Sequence, residues 1–206
     1  QNPEKWKEYL NLKIEKSPNN PFLNLQFGLY YKNNGQLDKA IPYLKKAKSI
    51  FPKYVQGDNP YKLLAEIYIE KGMIDKAINE LETLTSLNGK DLKTLNQLVD
   101  LYFQKSNYSD AIGALKKIIY VSPFDYEVHQ KLGTAYLKTG HYKQAIQEFQ
   151  ILLKTNPPDL AGANCDLATA YLMAGKKAEA KKAALAALEI APQYERAQEI
   201  LLKTIE

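Results

Sequence analysis

Few side chains in this sequence belong to the types that carry catalysis or bind metals: two histidines, His129 and His141, and one cysteine, Cys165. The histidines close the ends of HQKLGTAYLKTGHY, which suggests a shared metal ion or an acid–base pair, because imidazole both ligates metals and titrates near neutrality. If the residues between them are helical, a rise of ~1.5 Å per residue sets them roughly 15 Å apart. Two ligands of one metal must each approach it to about 2.1 Å. They therefore cannot share a site, and no His-x-x-x-His or His-Glu spacing gives either of them a partner. Cys165 has Asp166 beside it, which is no activating base, so a small buried or half-buried apolar role is expected. The glycines are dispersed rather than gathered into a phosphate loop, and no Gly-x-Ser-x-Gly elbow or kinase signature occurs. The sequence thus offers no catalytic residue, no metal site and no cofactor, and reads as non-enzymatic.

What the chemistry-bearing residues sit on is a repeat. Tyr31, Tyr68, Tyr102, Tyr136 and Tyr171 recur at spacings of 37, 34, 34 and 35. Nine residues after each stands an alanine: Ala40, Ala77, Ala111, Ala145 and Ala180. Three before each is a small residue (Gly28, Ala65, Gly133, Ala168), with Val99 the exception, and four before is a large apolar one. Four after each comes a helix breaker, Gly35, Gly72, Gly140 or Gly175, with Ser106 in the third unit. Pro52, Pro123, Pro157 and Pro192 follow at twenty-one, with Gly89 in the second unit. Apolar stripes at helical spacing flank each breaker, so every unit predicts two helices joined by a turn and stopped by proline. Small residues at the crossing let the helices approach closely. The tyrosine and the apolar residue thirteen further on (Leu44, Leu81, Leu115, Phe149, reduced to Ala184) fill the space around it. One such pair cannot bury its apolar faces alone, so the units must stack.

These residues resemble the tetratricopeptide-repeat family, and LGTAYLKTGHYKQAIQEFQILLKTNP in the fourth unit is close to its consensus. The resemblance implies an all-α fold, a right-handed α-solenoid (superhelix) of antiparallel helix pairs, with a concave groove lined by the first helix of each pair. As one continuous solenoid the chain divides into residues 1–20, the second helix of a truncated repeat; 21–57, repeat one with an insertion; 58–91, 92–125, 126–160 and 161–194, repeats two to five; and 195–206, a capping helix. The period slips by three residues in PKYVQGDNPYK and by one in NPPDLAG, both read as longer turns. Asn20–Pro21 and Asn59–Pro60 look like an N-cap followed by the first helical residue.

Composition narrows the partner. The 206 residues carry a net charge of +5, and residues 1–57, with 10 Lys and 4 acids, hold +6 of it. Lys45, Lys46, Lys48 and Lys53 read as the solvated face of a helix. Arg196 is the sole arginine, and guanidinium forks are the usual readers of phosphates and base edges, so sequence-specific nucleic-acid binding is not expected. No apolar run reaches the ~18 residues of a membrane span. One cysteine excludes an internal disulfide and a cysteine zinc cage. The chain starts at Gln1, and its only methionines are Met73 and Met173, so it reads as a processed or excised segment. Both cytoplasmic and exported locations are compatible with it.

By the resemblance, groove ligands touch first-helix residues six and two before the tyrosine and one or two after it. Those positions include Lys62, Glu66 and Ile69 in repeat two, Asn96, Asp100 and Phe103 in repeat three, Gln130, Thr134, Leu137 and Lys138 in repeat four, and Thr169 in repeat five; Cys165 falls on the same face. Amides and hydroxyls there can hydrogen-bond an extended peptide, and Phe103 and Leu137 offer apolar contact. A family subtype that clamps the carboxylate tail of chaperones uses groove lysines, asparagines and an arginine. This chain departs from that pattern: Glu66 follows Lys62, Asp100 follows Asn96, and no first helix of the five repeats carries an arginine. The resulting expectation is a protein-interaction scaffold that binds a peptide or helical segment of a partner, in assembly of a multiprotein complex. The alternatives are a substrate-recruiting accessory domain of a larger enzyme, such as a peptidase or transferase, and a module that self-associates through its incomplete N-terminal repeat. In the latter, Trp6, Leu10 and Ile14 would be exposed.

Overall fold

Each breaker four residues after a repeat tyrosine adopts the left-handed conformation in which a helix can stop and reverse. Gly35, Gly72, Gly140 and Gly175 have φ of 70, 69, 76 and 75°, and Ser106, in the third unit, has φ of 55°. The residue after each breaker then donates its N–H back to the tyrosine carbonyl: Gln36 to Tyr31 at 2.9 Å, Met73 to Tyr68 at 2.7 Å, Asn107 to Tyr102 at 2.8 Å, His141 to Tyr136 at 2.8 Å and Lys176 to Tyr171 at 2.9 Å. This is the bond that satisfies an orphan carbonyl at a helix C-terminus, and it explains the fixed tyrosine-to-glycine spacing.

The computed structural model describes residues 3–205, and among these it contains twelve α-helices and no strand. They are α1 (Pro3–Lys16), α2 (Pro21–Asn33), α3 (Leu37–Ile50), α4 (Pro60–Glu70), α5 (Ile74–Leu87), α6 (Leu92–Gln104), α7 (Tyr108–Val121), α8 (Tyr126–Lys138), α9 (Tyr142–Lys154), α10 (Leu160–Met173), α11 (Lys177–Ile190) and α12 (Glu195–Lys203). Asn20 and Asn59 cap α2 and α4 with their side-chain oxygens, each followed by proline as the first helical residue. Asp125 and Asp159 cap α8 and α10 in the same way.

The chain forms two compact units that meet within α6, one up to Leu101 and one from Tyr102. In the first, α2 pairs with α3 and α4 with α5, while α1 packs on α2, and α4 on α2 and α3. In the second, α8 pairs with α9 and α10 with α11; α7 packs on α8, α9 on α10, and α12 lies against both α10 and α11. The first core holds Leu10, Phe27, Leu44, Leu64 and Leu81, all fully buried; the second holds Leu115, Ile118 and Phe149 among a run of buried alanines. No helix among the described residues is long and apolar enough to cross a membrane.

The crossings are as tight as the small residues imply. A Cβ on Gly28 would overlap the Leu44 side chain, and one on Gly133 would stand 2.5 Å from Phe149 Cε1. Leu44 and Phe149 are the residues thirteen after their repeat tyrosines, so the glycine is the hollow into which that side chain seats.

A second regularity is not visible in residue types. The proline that ends one helix pair leaves its carbonyl facing the next first helix, and a polar tip from that helix donates to it. Asn24 Nδ2 reaches Pro18 O at 3.1 Å, Tyr61 Oη reaches Pro52 O at 2.6 Å, His129 Nε2 reaches Pro123 O at 2.9 Å, and Gln198 Nε2 reaches Pro192 O at 3.1 Å. Three of these donors stand six residues beyond their proline; the three-residue insertion moves Tyr61 to nine, where a phenol is long enough to span the difference. Where Gly89 replaces proline, the equivalent residue is Leu95, which is buried and apolar. Within the insertion, Asn59 Nδ2 donates to the carbonyls of Val55 and Gly57 and closes the loop on itself.

Candidate binding face

The two histidines serve packing and capping. His129 is 3% exposed, with Nδ1 2.8 Å from a Glu148 carboxylate oxygen and Nε2 on the Pro123 carbonyl. Both neighbours are acceptors, so the ring links α8, α9 and the preceding turn through two donated bonds. His141 is exposed at the N-cap of α9, with Nδ1 2.9 Å from Thr139 Oγ1. Among the described residues no three acidic, histidine or cysteine side chains cluster as metal ligands would.

Cys165 departs from its expected place on the open face. It is fully buried, because α12 packs on α10 as a further first helix would and covers that position. Burial pushes its thiol pKa up, an effect that the nearby Arg196 guanidinium partly opposes. Leu10 also differs from expectation: it is fully buried, and the exposed apolar residues of α1 are Tyr9 and Leu12.

In the first unit, Lys62 and Ile69 are half-buried on α4, and Glu66 between them pairs with Lys32 of α2 at 2.8 Å. Asn96 is half-buried on α6, where its Nδ2 donates to Leu92 O one turn back at 3.0 Å, and Asp100 is exposed. The Lys32–Glu66 pair cancels charge that a sequence reading places in the face unpaired.

In the second unit, Phe103 is half-buried and meets Tyr108 edge to face, with ring centroids 5.4 Å apart. Thr134 and Leu137 are half-buried on α8, and Gln130 and Lys138 are exposed. Gln130 Nε2 donates to Asp166 Oδ2 at 3.2 Å, and the Arg196 guanidinium donates to Asp166 Oδ1 at 2.6 Å and to Thr169 Oγ1 at 3.3 Å. Thr169 in turn donates to the Cys165 carbonyl at 2.8 Å. Two expected residues, Gln130 and Thr169, are thus joined through two unexpected ones into one hydrogen-bonded chain across α8, α10 and α12. Asp166 stands one residue past an expected position, and Arg196 could have been singled out as the only arginine.

Models of the tetratricopeptide repeat match residues 33–99 and 131–195, together more than half of the chain. The chain is a tetratricopeptide-repeat protein. Solved structures agree on the fold. YrrB, described as a tetratricopeptide-repeat protein with an unusual peptide-binding site, is 16% identical with a TM-score of 0.68, over 92% of this chain and 96% of its own. MamA is 24% identical with a TM-score of 0.61, over 82% and 90%. The C-terminal part of a tetratricopeptide-repeat protein from Cytophaga hutchinsonii is 21% identical with a TM-score of 0.62, over 98% and 80%. No curated protein sequence matches the chain. At these identities the likeness is one of fold, an all-α helical-repeat solenoid. Tetratricopeptide repeats bind other proteins or peptides and are generally non-catalytic modules, so the fold is that of a protein-interaction scaffold.

Proposed function

We propose that the protein captures an extended or helical segment of a partner on the first-helix faces, with the second unit as the main contact, and that it does so in assembly of a multiprotein complex. The observation that carries this reading is the chain Gln130–Asp166–Arg196–Thr169. It fixes amide, carboxylate, guanidinium and hydroxyl groups of three first helices on one another. The half-exposed guanidinium has further N–H donors with which to meet a peptide carbonyl. Thr134 and Leu137, half-buried on α8, add a hydroxyl and an apolar contact. Charges of both signs favour a segment that itself carries both. A fold relative, YrrB, has a peptide-binding site, which is in keeping with this use of the scaffold.

Selection from a displayed peptide library with the whole chain tests the reading. Enriched peptides should bind with micromolar affinity, and Leu137→Asp or Thr134→Arg should weaken them at least ~10-fold while leaving helicity unchanged. Peptides that bind both variants as they bind the parent would sink it. A second reading, self-association through α1, is favoured by Tyr9 and Leu12, which are 47% and 63% exposed. Light scattering that finds a monomer at high concentration disposes of it.

A further inference from the structure

A cavity of about 430 Å³ opens between α1 and α3 in the first unit, lined by Ile14, Glu15 and Pro18, by Asn24 of α2, and by Pro42, Tyr43 and Lys46. Asn24, fully buried, forms its floor, and Glu15 and Lys46 are exposed at its rim. The Asn24 amide is held by two bonds from Nδ2, to Pro18 O at 3.1 Å and Asn20 O at 2.8 Å, which fixes which of its two polar atoms is the oxygen. Oδ1 is then the one buried side-chain polar atom among the described residues that has no partner. A buried acceptor without a donor is unfavourable, and a natural fold keeps one where something supplies the donor.

The repeat itself shows what kind of donor. The corresponding place in repeat two lies between α3 and α5, and there the chain supplies its own cation. Lys48 Nζ lies 2.7 and 2.8 Å from the two Glu80 oxygens and 5.3 Å from the centroid of the Tyr61 ring. Tyr61 and Asn24 each stand seven residues before their repeat tyrosine, and Glu80 and Tyr43 each stand twelve after it. Acceptor and ring have therefore exchanged positions between the two repeats, but both places hold one of each. Repeat four completes the pattern, with the His129 imidazole against Glu148, again at seven before and twelve after. Only repeat one lacks the cation: Lys48 stands four residues before Pro52, and the residue four before Pro18 is Ile14.

We propose that this cavity binds a primary ammonium group, supplied by a lysine side chain of another protein or by a free alkylamine. The ammonium donates to Asn24 Oδ1, lies against Tyr43, whose ring is fixed by stacking on Phe27 and Tyr31 at 4.9 and 5.6 Å between centroids, and is drawn in by Glu15. Lys46 opposes it from the rim. The site lies apart from the first-helix binding face and does not depend on it.

The test is a titration of the isotope-labelled whole chain with n-butylammonium, followed by the Asn24 side-chain amide signals and the backbone amides of Ile14 and Tyr43, with n-butanol as the uncharged control. The expected result is a saturable shift confined to those groups with the amine alone. Asn24→Leu should weaken it about tenfold, as loss of a hydrogen bond to a charged group does, and Lys46→Ala should tighten it. Ile14→Lys, which places an ammonium where Lys48 stands in repeat two, should abolish binding, and it carries the test if Asn24→Leu fails to fold. Equal response to butanol, no saturation (an ordered water alone satisfying Oδ1), or binding unchanged in Ile14→Lys would overturn the proposal. With binding established, a capped Gly-Lys-Gly peptide distinguishes the sources. Tighter binding than butylammonium assigns the site to a protein side chain, and equal or weaker binding to a free amine.

Discussion

The His129 imidazole donates from Nε2 to the Pro123 carbonyl at 2.9 Å, and through this bond the end of one helix pair is fastened to the first helix of the next. A proline closes the preceding helix because it cannot continue it, but its own carbonyl is left facing the protein rather than water. The fold meets that demand with four different donors in four places, an amide, a phenol, an imidazole and a second amide. What is repeated is the reach of the side chain, not its identity.

His129→Leu should destabilise the second unit by about 2–4 kcal/mol, since it orphans a buried carbonyl and removes the partner of the half-buried Glu148 carboxylate. His129→Gln should recover about half of that, because Gln198 makes the same bond to Pro192. Urea unfolding of the three chains measures both. Equal loss in the two variants would show that the ion pair, not the proline cap, is the contact that matters.

Gly133→Ala sets two effects against each other. Helix propensity favours alanine by about 0.5–1 kcal/mol. The new Cβ would stand 2.5–2.8 Å from three Phe149 ring atoms, and that ring is 1% exposed, so it has nowhere to withdraw. Overpacking of this kind costs about 1–3 kcal/mol, so a net loss is expected. Combining it with Phe149→Leu recreates the Ala65–Leu81 pair of repeat two, both fully buried, and the double variant should be more stable than the sum of the single changes gives. Strict additivity in a double-mutant cycle would mean that the two residues do not share the crossing.

The packing half of this architecture was legible because it depends on size at fixed spacing. Glycine against Phe149, glycine in the left-handed turn and alanine at the crossing each admit few residue types, so they recur as letters. The fastening of His129, Tyr61, Asn24 and Gln198 to proline carbonyls was not legible, because unlike side chains meet one geometric demand. Asp166 and Arg196 escaped notice for a related reason: neither means much until α12 is laid on α10. The same docking buries Cys165, which the helical offset alone sets on an open face. Leu10 is buried because α1 packs on α2 as a full second helix does, which leaves Tyr9 and Leu12 as its outward side.

Burial, and then the Glu80 carboxylate, raise the Tyr61 phenol above the ordinary tyrosine pKa of 10.0. In the unfolded chain the phenol loses its proton near that ordinary value, so above it the unfolded state binds fewer protons than the folded one. The contribution is fully present below pH ~10 and is lost as pH rises through the folded value. Urea unfolding between pH 8 and 11.5 should therefore show a steeper alkaline fall for the parent than for Tyr61→Phe, although the variant is less stable throughout for want of the Pro52 bond. Parallel curves would mean that Tyr61 ionises as freely in the fold as out of it.

Labelling of Cys165 by a thiol reagent reports on whether Arg196 holds α12 in place. The thiol is buried and its pKa is raised, so reaction should require α12 to lift from α10, after which the thiol regains its ordinary acidity. Arg196→Ala removes two opposing things: the bond to Asp166 that restrains α12, and the positive charge that favours the thiolate while α12 is docked. Because the docked thiol is inaccessible, only the first should govern the rate. A half-exposed ion pair of this kind contributes about 0.2–1 kcal/mol, which translates to labelling roughly 1.5- to 5-fold faster in the variant at pH 8. Removing the chain from Glu195 onward should raise the rate toward that of the unfolded protein. A slower rate in Arg196→Ala would reverse the assignment, since it would mean that the docked thiolate reacts and that the guanidinium acts on its charge rather than on the helix.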